Sequence, residues 1–408
     1  MFKSLKQLHW SIFALALSSG VIMTGFMMIF PLLPEYAGQL GFGEYDLGLL
    51  VAAFFVGRVL LQFPLGVLSD RVGRRHIMSA SLLLFTVATA AFALTTGWLS
   101  MMVLRLLQGV AASGFAVASQ SYINDRTPTE LRGLANGVTS SAINIGVIAG
   151  PVLGGVLAQA FNIQFPFWIG GILGAICFTL SLGIPDISVH DQSSDWDELL
   201  PRPSRVKRVF ASVCSLPSFS LSLVQFLLMM AITIFLYSAP ILTATLLDWS
   251  SSDIALAFAI SGAAAAISSP FLGQLSDRVG RIRLMAFGLI TLTAQGLIVY
   301  FHPNSLLVMA AFALGGAGTP AYFNAFYSLI GDVTVPSERG AVTGFVGSFG
   351  EWGSIIGSSL LGPIAWRSIG VTAPMAADAL VALLTLVLIL AIRVPLQRQV
   401  GDRSCKSG

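Results

Sequence analysis

The sequence predicts an all-α integral membrane protein with twelve transmembrane helices in two six-helix bundles. Of its 408 residues, 55% are hydrophobic and only 10% are charged, whereas soluble domains carry roughly 25% charged residues. Its mean hydropathy is +0.83. Apolar stretches of about 20 residues, the length that crosses a bilayer, recur along the chain. One charged motif also occurs twice. Such a chain has too little polar surface for a soluble protein, and its net charge of +3 is no signal for nucleic acid.

The repeated motif marks two homologous halves. The segment Gly66–Arg75 reads GVLSDRVGRR, and Gly273–Ile282, 207 residues later, reads GQLSDRVGRI. Each copy is a short charged turn between two long apolar runs. We therefore expect each copy to lie where one membrane helix leaves the bilayer and the next enters it.

Charged, proline or glycine residues delimit twelve apolar spans. They lie at about 11–33, 46–68, 76–95, 99–123, 135–160, 165–184, 217–241, 253–275, 283–301, 305–330, 340–365 and 371–393. The first span is too long for a cleaved signal peptide, and no small-residue cleavage pattern follows it. It is expected to remain as the first helix.

The distribution of Lys and Arg predicts the orientation. Nineteen of the 22 basic residues fall in the two tails and in alternate connections that share one side. Only Arg367 falls in a connection on the opposite side, and Arg58 and Arg105 lie within spans. The positive-inside rule therefore places both termini in the cytoplasm.

A polar segment divides the chain in the middle. Residues 186–208 read DISVHDQSSDWDELLPRPSRVKR, which is too polar to span a membrane and too short to form a domain. The predicted domains are an N-terminal bundle at 1–185, a cytoplasmic linker at 186–210 and a C-terminal bundle at 211–408.

Four motifs resemble those of the major facilitator superfamily, and the resemblance covers nearly the whole chain. The first repeat matches G-x-x-x-D-R-x-G-R-R at Gly66, Asp70, Arg71, Gly73, Arg74 and Arg75. The first span ends in a P-x-x-P pattern, Pro31 to Pro34, and the fourth carries R-x-x-Q-G from Arg105 to Gly109. The fifth fits G-x-x-x-G-P-x-x-G-G at Gly146, Gly150, Pro151, Gly154 and Gly155. Together they are similar to the twelve-helix drug/proton antiporter branch of that family.

The charged loop is a candidate gate. Gly73 permits a tight turn, and Asp70 can accept hydrogen bonds from neighbouring basic side chains or face a helix N-terminus. The resemblance implies that Asp70 contacts the start of helix eleven, near Gly340, and keeps the cytoplasmic side closed. Asp277 and Arg278 are the matching candidates in the second half. The alternative is that these arginines only anchor the loop and set topology.

The glycines of the fifth span form a stripe with a period of four residues, which lets another helix approach closely, and Pro151 is expected to kink the helix. The resemblance implies that this stripe packs against helix eight at the hinge between halves. The matching positions in the eleventh span are Gly353, Gly357, Ser358, Leu361 and Gly362. The proline is therefore lost there.

Four charged residues lie within spans and away from the span ends: Arg58, Arg105, Glu351 and Asp378. Arg58 and Glu351 each lie 12 residues from a charged helix end, or about 18 Å into the membrane. In the family fold their helices are neighbours, so the resemblance predicts an ion pair in which Glu351 exchanges protons. A pair that only ties two helices together is the alternative.

Arg105 lies in the outer half of the fourth span. The resemblance to R-x-x-Q-G implies that Arg105 serves proton transfer. A snorkelling arginine at the outer interface is the competing interpretation. The role of Asp378 is left open.

Polar side chains scattered among many Phe and Met residues suggest an apolar, aromatic substrate cavity. The candidates are Gln108, Asn144, Gln225, Tyr237, Asn324 and Trp352. Such a cavity suits amphipathic or aromatic molecules better than sugars. Ordinary helix packing is the alternative for each position.

The sequence favours a transporter over an enzyme. It contains no P-loop, its four histidines have no metal-ligand spacing, and its three cysteines suggest no chemistry; no cofactor or metal is expected. The leading hypothesis is proton-coupled export of small amphipathic compounds across a plasma membrane, most simply a bacterial inner membrane. A dedicated exporter of one metabolite, siderophore or lysolipid is the alternative, and a non-transporting sensor is a third. The expected partners are a small-molecule substrate, protons and membrane lipid, and no nucleic acid is expected. The protein is expected to be a monomer.

Overall fold

The computed structural model describes residues 8–186, 216–301, 304–334 and 339–392, and all regular structure within them is helical. The described elements before residue 186 are α1 (Trp10–Met27), a 3₁₀ turn (Phe30–Leu32), α2 (Leu33–Leu40), α3 (Glu44–Val72), α4 (Arg74–Phe92), α5 (Trp98–Arg126), α6 (Thr129–Ala160) and α7 (Phe165–Leu182). There follow α8 (Leu216–Leu247), α9 (Ser251–Val279), α10 (Arg281–Phe301), α11 (Ser305–Val333), α12 (Arg339–Ile356), a π segment (Gly357–Leu361), α13 (Gly362–Ile369) and α14 (Ala373–Ala391).

Eleven helical stretches of the described chain are long and apolar enough to cross a membrane. The first runs from Trp10 to Tyr36 and includes the 3₁₀ turn. Pro31 lies in this turn and Pro34 in the first turn of α2, where a missing N–H is tolerated.

The predicted eleventh span, 340–365, is not one continuous α-helix. It consists of α12, the π segment and α13. Glycines, serines and Glu351 make α12 more polar than the other spanning helices, so it is absent from those eleven. The twelve predicted spans therefore correspond to the eleven apolar stretches and to this composite helix.

Contacts between Cα atoms divide the chain into two compact units. The first contains the described residues up to 186 together with Asp248–Ala259, and the second contains residues 216–247 and those from Ile260 onward. The N-terminal turns of α9 thus group with the first unit, although the sequence-based bounds assigned all of 211–408 to the second bundle. Those domain bounds stay predictions.

In the first unit, α1 packs along α6, α3 packs along α5, and α4 packs against α5 and α7. The crossing of α3 and α5 is a direct backbone contact, because a Cβ atom at Gly109 would lie 1.9 Å from the carbonyl oxygen of Phe54. A side chain at Gly109 would push the two helices apart.

In the second unit, α8 packs against α12 and α14, and α10 packs against α11 and α14. The core includes Leu221, Leu228, Met285, Leu289, Tyr322 and Phe326. The close crossing of the first unit recurs here, because a Cβ atom at Gly316 would lie 2.1 Å from the carbonyl oxygen of Ser261. Both residues lie 207 positions after their counterparts, Gly109 and Phe54.

The same offset relates two helix starts and two turns. The Asp46 carboxylate accepts a hydrogen bond from the Gly43 N–H at 3.0 Å, and the Asp253 carboxylate accepts one from the Ser250 N–H at 2.9 Å. Gly73 and Gly280 have φ angles of +105° and +98°, a region that side chains disfavour. The repeat seen in the sequence therefore extends to backbone conformation.

Candidate functional site

Arg105 lies at the centre of the first unit and is only 1% exposed. Its Nε donates to the carbonyl oxygen of Leu50 at 3.4 Å, and its Nη1 donates to Gln108 at 3.1 Å. The guanidinium carbon lies 5.5 Å from the ring centroid of Phe26 and 5.3 Å from that of Phe54. The side chain therefore does not snorkel to a surface, and that interpretation is wrong.

The coordination of Arg105 is incomplete. Its Nη2 atom is buried and has no hydrogen-bond partner, and no carboxylate in the described chain forms an ion pair with it. The two rings that flank it stack on each other at 4.3 Å between centroids. A permanent cation whose Nη2 nitrogen makes no hydrogen bond, held among aromatic rings, is poised to bind an anionic or polar group.

Gln108 connects Arg105 to a third helix. The Gln108 side chain accepts from Arg105 through its oxygen and donates through its nitrogen to the Thr89 hydroxyl at 3.1 Å. Gln108 is 1% exposed. This residue, predicted to line the cavity, thus holds α4 and α5 together beneath Arg105.

The glycine stripe of α6 packs against α1. Cβ atoms at Gly146, Gly150 and Gly154 would lie 2.3–2.6 Å from α1 backbone oxygens or from the Met27 side chain. The expectation that the stripe faces helix eight is therefore wrong for these three residues. A neighbouring position points about 100° away around a helix, so Gly155 faces another partner. This partner is the start of α9, the predicted eighth span, where a Cβ atom at Gly155 would lie 2.2 Å from the carbonyl oxygen of Ser251.

Two further contacts join the start of α9 to the first unit, with which it groups. The Ser251 hydroxyl donates to the Glu35 carboxylate, and the Ser252 hydroxyl donates to the Gln159 side chain. These contacts lie at the predicted outer ends of the helices. They fix the N-terminal turn of α9 on α2 and α6.

At the predicted cytoplasmic end, three consecutive side chains at the start of α4 contact other parts of the unit. Arg74 forms an ion pair with Asp125 of α5 at 2.6 Å, and Arg75 donates to the carbonyl oxygen of Leu182. His76 lies 3.3 Å from Asp186. The loop motif therefore also ties α4 to the ends of α5 and α7.

The second unit repeats the first of these ion pairs. Arg281 contacts Asp332 at 3.1 Å, and both residues lie 207 positions after Arg74 and Asp125. Neither aspartate was among the site residues predicted from the sequence. Applying the repeat offset to every charged residue would have found both of them.

Several predicted roles stay predictions. The side chains of Asp70, Arg71, Asp277 and Arg278 lie outside the described part of the structure. The proposed pairing of Arg58 with Glu351 joins residues of different units; each is only partly buried within its helix. Gly66 is described, and a Cβ atom there would lie 3.2 Å from the side chain of Val117.

The other predicted cavity residues have varied surroundings. Asn144 and Trp352 are exposed, whereas Gln225 and Tyr237 are buried. Gln225 lies against Gly350 of α12, and Tyr237 lies against Gly362 of α13. Asn324 donates to the carbonyl oxygen of Ser269 at 3.3 Å. The buried pair therefore serves helix packing, and the cavity role of the exposed pair stays a prediction.

Comparison with known proteins matches both halves of the chain. A family model described as Major Facilitator Superfamily matches residues 15–220 and 221–404. The quinolone resistance protein NorA of Staphylococcus aureus is 25% identical over 362 residues, which cover 86% of this chain and 89% of NorA. An uncharacterized MFS-type transporter of Methanocaldococcus jannaschii is 23% identical over 361 residues, 88% of this chain and 92% of the relative.

Solved structures share the fold. The nucleoside transporter NupG superposes with a TM-score of 0.73 at 16% identity, covering 94% of this chain and 98% of NupG. A bacterial homolog of the human lysosomal transporter Spinster superposes with a TM-score of 0.75 at 16% identity, covering 96% and 97%. The predicted all-α membrane architecture is confirmed.

Proposed function

The chain belongs to the Major Facilitator Superfamily and is a multi-pass membrane transporter, and from this premise we propose that it exports small amphipathic compounds in exchange for protons. The two units would alternate access to a central site by rocking about it. The proposed location is a bacterial plasma membrane, and the proposed state is a monomer surrounded by lipid.

The observation that carries this proposal is the environment of Arg105. A permanent charge within the membrane is costly and is usually retained for a pathway or a binding site. Two phenyl rings, one carbonyl group and one amide offset part of this cost, yet the buried Nη2 nitrogen makes no hydrogen bond. Buried polar atoms are nearly always paired, so the free Nη2 nitrogen supports a role in ligand binding.

Two observations support the proposed class of substrate: the similarity to NorA and the charged residues of this chain. The name of the relative NorA refers to quinolone resistance, and quinolones are small aromatic amphipathic molecules. The chain itself has no carboxylate in the described part of α8 or before Asp332 in α11. These parts of the two helices therefore offer no negative charge that could bind an organic cation. Arg58 and Arg105 instead favour neutral, zwitterionic or anionic compounds.

In the proposed mechanism, Glu351 carries the exchanged proton. A carboxylate that pairs with Arg58 in one conformation and faces water in another changes its proton affinity between them. Arg105 would orient the substrate, or a group that carries the exchanged proton, through its unbonded Nη2 nitrogen. The tight α1–α6 and α3–α5 crossings suit helices that move together as one body.

The proposal is tested by transport in proteoliposomes under an imposed pH gradient. Wild type is compared with Glu351→Gln and Arg105→Gln, with the exposed Arg367→Gln as the control for loss of a cation. Quinolones and fluorescent dyes serve as probes, and a trapped pH indicator reports proton flux. We expect uphill export with opposite proton movement in wild type and Arg367→Gln.

In Glu351→Gln we expect uphill export to be lost while downhill movement persists, because substrate binding remains and coupling does not. Arg105→Gln should lose both. Uphill transport by Glu351→Gln equal to wild type would contradict the coupling role. Movement of a single metabolite, siderophore or lysolipid in place of the panel would favour the dedicated exporter.

A further inference from the structure

Asp378 is a buried carboxyl group that the proposed mechanism does not use. It lies in the second turn of α14 and is only 4% exposed. No hydrogen bond or ion pair joins its side chain to any residue of the described chain. A carboxyl group so placed is unusual, because buried polar groups are nearly always paired.

The neighbouring helix is shaped to receive this side chain. A Cβ atom at Gly296 of α10 would lie only 2.8 Å from Oδ2 of Asp378, and 3.1 Å from the Cβ atom of Ala379. Any larger residue at Gly296 would therefore collide with the carboxyl group. The carboxyl group occupies space that α10 leaves open and does not point away from the protein.

The first unit arranges the equivalent contact the other way round. The counterpart of Gly296, 207 positions earlier, is Thr89 of α4. The counterpart of Asp378 at the same offset is Gly171. The residue of α7 that faces Thr89 is its neighbour Gly170, whose Cβ would lie 3.0 Å from the methyl carbon of Thr89. In the first unit the glycine thus lies on the later helix, and in the second unit it lies on the earlier helix, opposite Asp378.

The charged groups on the surrounding helices do not reach Asp378. The helices that pack against α14 are α8, α10 and α13. Their ionisable residues in the described chain are Tyr237, Arg281, Arg283, Tyr300 and Arg367. None of them bonds to Asp378. The two arginines of α10 lie 13 and 15 residues before Gly296, or about 20 Å along the helix.

We propose that Asp378 is a proton-binding site within the membrane, separate from Arg58, Arg105 and Glu351, and that it keeps its proton at neutral pH. An unpaired carboxylate between two membrane helices costs far more than a neutral carboxylic acid. A metal ion is less suitable than a proton as the bound species, because one carboxyl group cannot supply the several oxygen ligands that hard cations require. The described residues contain no cluster of three metal-binding side chains.

The bound proton has a structural consequence. As a neutral acid, Asp378 packs against Gly296 and lets α14 lie directly on α10. An ionised group at this contact would draw water between the helices. The proton is therefore resident: it stays bound through the transport cycle and keeps α14 packed on α10.

Infrared spectroscopy of the purified protein in D2O at about pH 7 tests the site, because a protonated carboxyl group has its own carbonyl-stretch band. We expect this band in wild type and in Glu351→Gln, and its loss in Asp378→Asn. The double variant Gly296→Ala/Asp378→Gly, which places the glycine on the later helix as in the first unit, provides a second reference if Asp378→Asn folds poorly. Spectra in which neither reference removes a protonated band overturn the proposal.

A transport measurement tests whether the proton is resident. Asp378→Asn keeps a neutral side chain of the same shape, so proton-driven export should persist. Folded Asp378→Asn that binds substrate but no longer exports it uphill would overturn the resident role. The infrared result does not depend on transport, so failure of the exporter proposal and failure of this one are distinguishable.

Discussion

At Arg105, the protein meets the cost of a buried charge with several weak contacts. Each cation–π contact contributes about 0.5–2 kcal/mol, and a hydrogen bond to a charged group contributes about 1.5–3 kcal/mol. Gln108 is central among them because it also reaches Thr89. Its removal would leave a donor on α5, Nη1 of Arg105, and an acceptor on α4, the Thr89 hydroxyl, without this partner.

We expect Gln108→Leu to lower the free energy of unfolding by about 1–3 kcal/mol, because Nη1 of Arg105 and the Thr89 hydroxyl each lose a partner. Unfolding of purified protein in detergent micelles measures this difference. Gln120→Leu is the control on the same helix. Gln120 is exposed and donates to Asn124 and Asn136 where water can replace those bonds, so the change should alter stability by less than about 0.5 kcal/mol. Equal losses for both variants would show that the Gln108 hydrogen bonds contribute little.

Among the helices, the α1–α6 contact offers a test with an internal control. A Cβ at Gly154 would lie 2.3 Å from the carbonyl oxygen of Met28, whereas nothing lies within 4 Å of one at Gly137 in the same helix. We expect Gly154→Ala to lower the melting temperature and Gly137→Ala to leave it unchanged or raise it, since alanine favours helix by about 1 kcal/mol. A well-tolerated Gly154→Ala would mean that α1 and α6 separate easily.

The repeated ion pairs connect consecutive helices, and exchanging their charges tests them. Asp332 is 37% exposed, so solvent screening limits this pair to about 0.5–1 kcal/mol. We expect Arg281→Asp to reduce stability through carboxylate repulsion and the double variant Arg281→Asp/Asp332→Arg to restore it.

The corresponding exchange at Arg74 and Asp125 should behave alike, because the pair has the same position in the first unit. Thermal unfolding of the two single variants and the double variant of each pair gives the coupling energy. A double variant no better than the worse single variant would indicate that these residues act independently.

Sequence patterns foresaw the helices better than the faces on which they pack. The lengths of apolar runs and their flanking charges locate membrane spans well, because a chain that crosses the hydrocarbon core of a bilayer must form a continuous apolar helix. They say little about rotation, since a membrane helix is apolar all around. The stripe of Gly146, Gly150 and Gly154 was therefore recognised as a packing face but given the wrong neighbour, and the burial of Gln108 beside Arg105 was not foreseen.

For the whole chain, the predicted orientation is open to a direct test. With Lys and Arg concentrated on one side, we expect both termini in the cytoplasm. A reporter that is active only in the cytoplasm should be active when fused to the C-terminus, and a reporter active only outside should be inactive there. Fusion after Arg367, in the connection predicted to lie outside, should give the opposite pattern.

The repeat was the most informative feature of the sequence for architecture. An offset of 207 residues relates Gly73 to Gly280, Gly109 to Gly316 and Asp46 to Asp253, so one observation predicts turns, crossings and helix starts together. The charged residues without a charged counterpart, Arg105 and Asp378, could not be interpreted in this way. Their surroundings depend on side-chain contacts that no periodicity encodes.

The π segment at Gly357–Leu361 brings a different glycine of the repeat onto the packing face. In α6 the stripe glycines are spaced four and four, whereas Gly353, Gly357 and Gly362 are spaced four and five. A π turn holds one additional residue, so Gly362 still faces α8, at Tyr237, much as Gly154 faces α1. Deleting Leu360 should therefore convert the segment to regular α-helix and leave the glycine seam aligned. Because Leu361 stands where the first half has Gly154, the extra residue of the π turn lets Gly362, the counterpart of Gly155, take that place on the packing face.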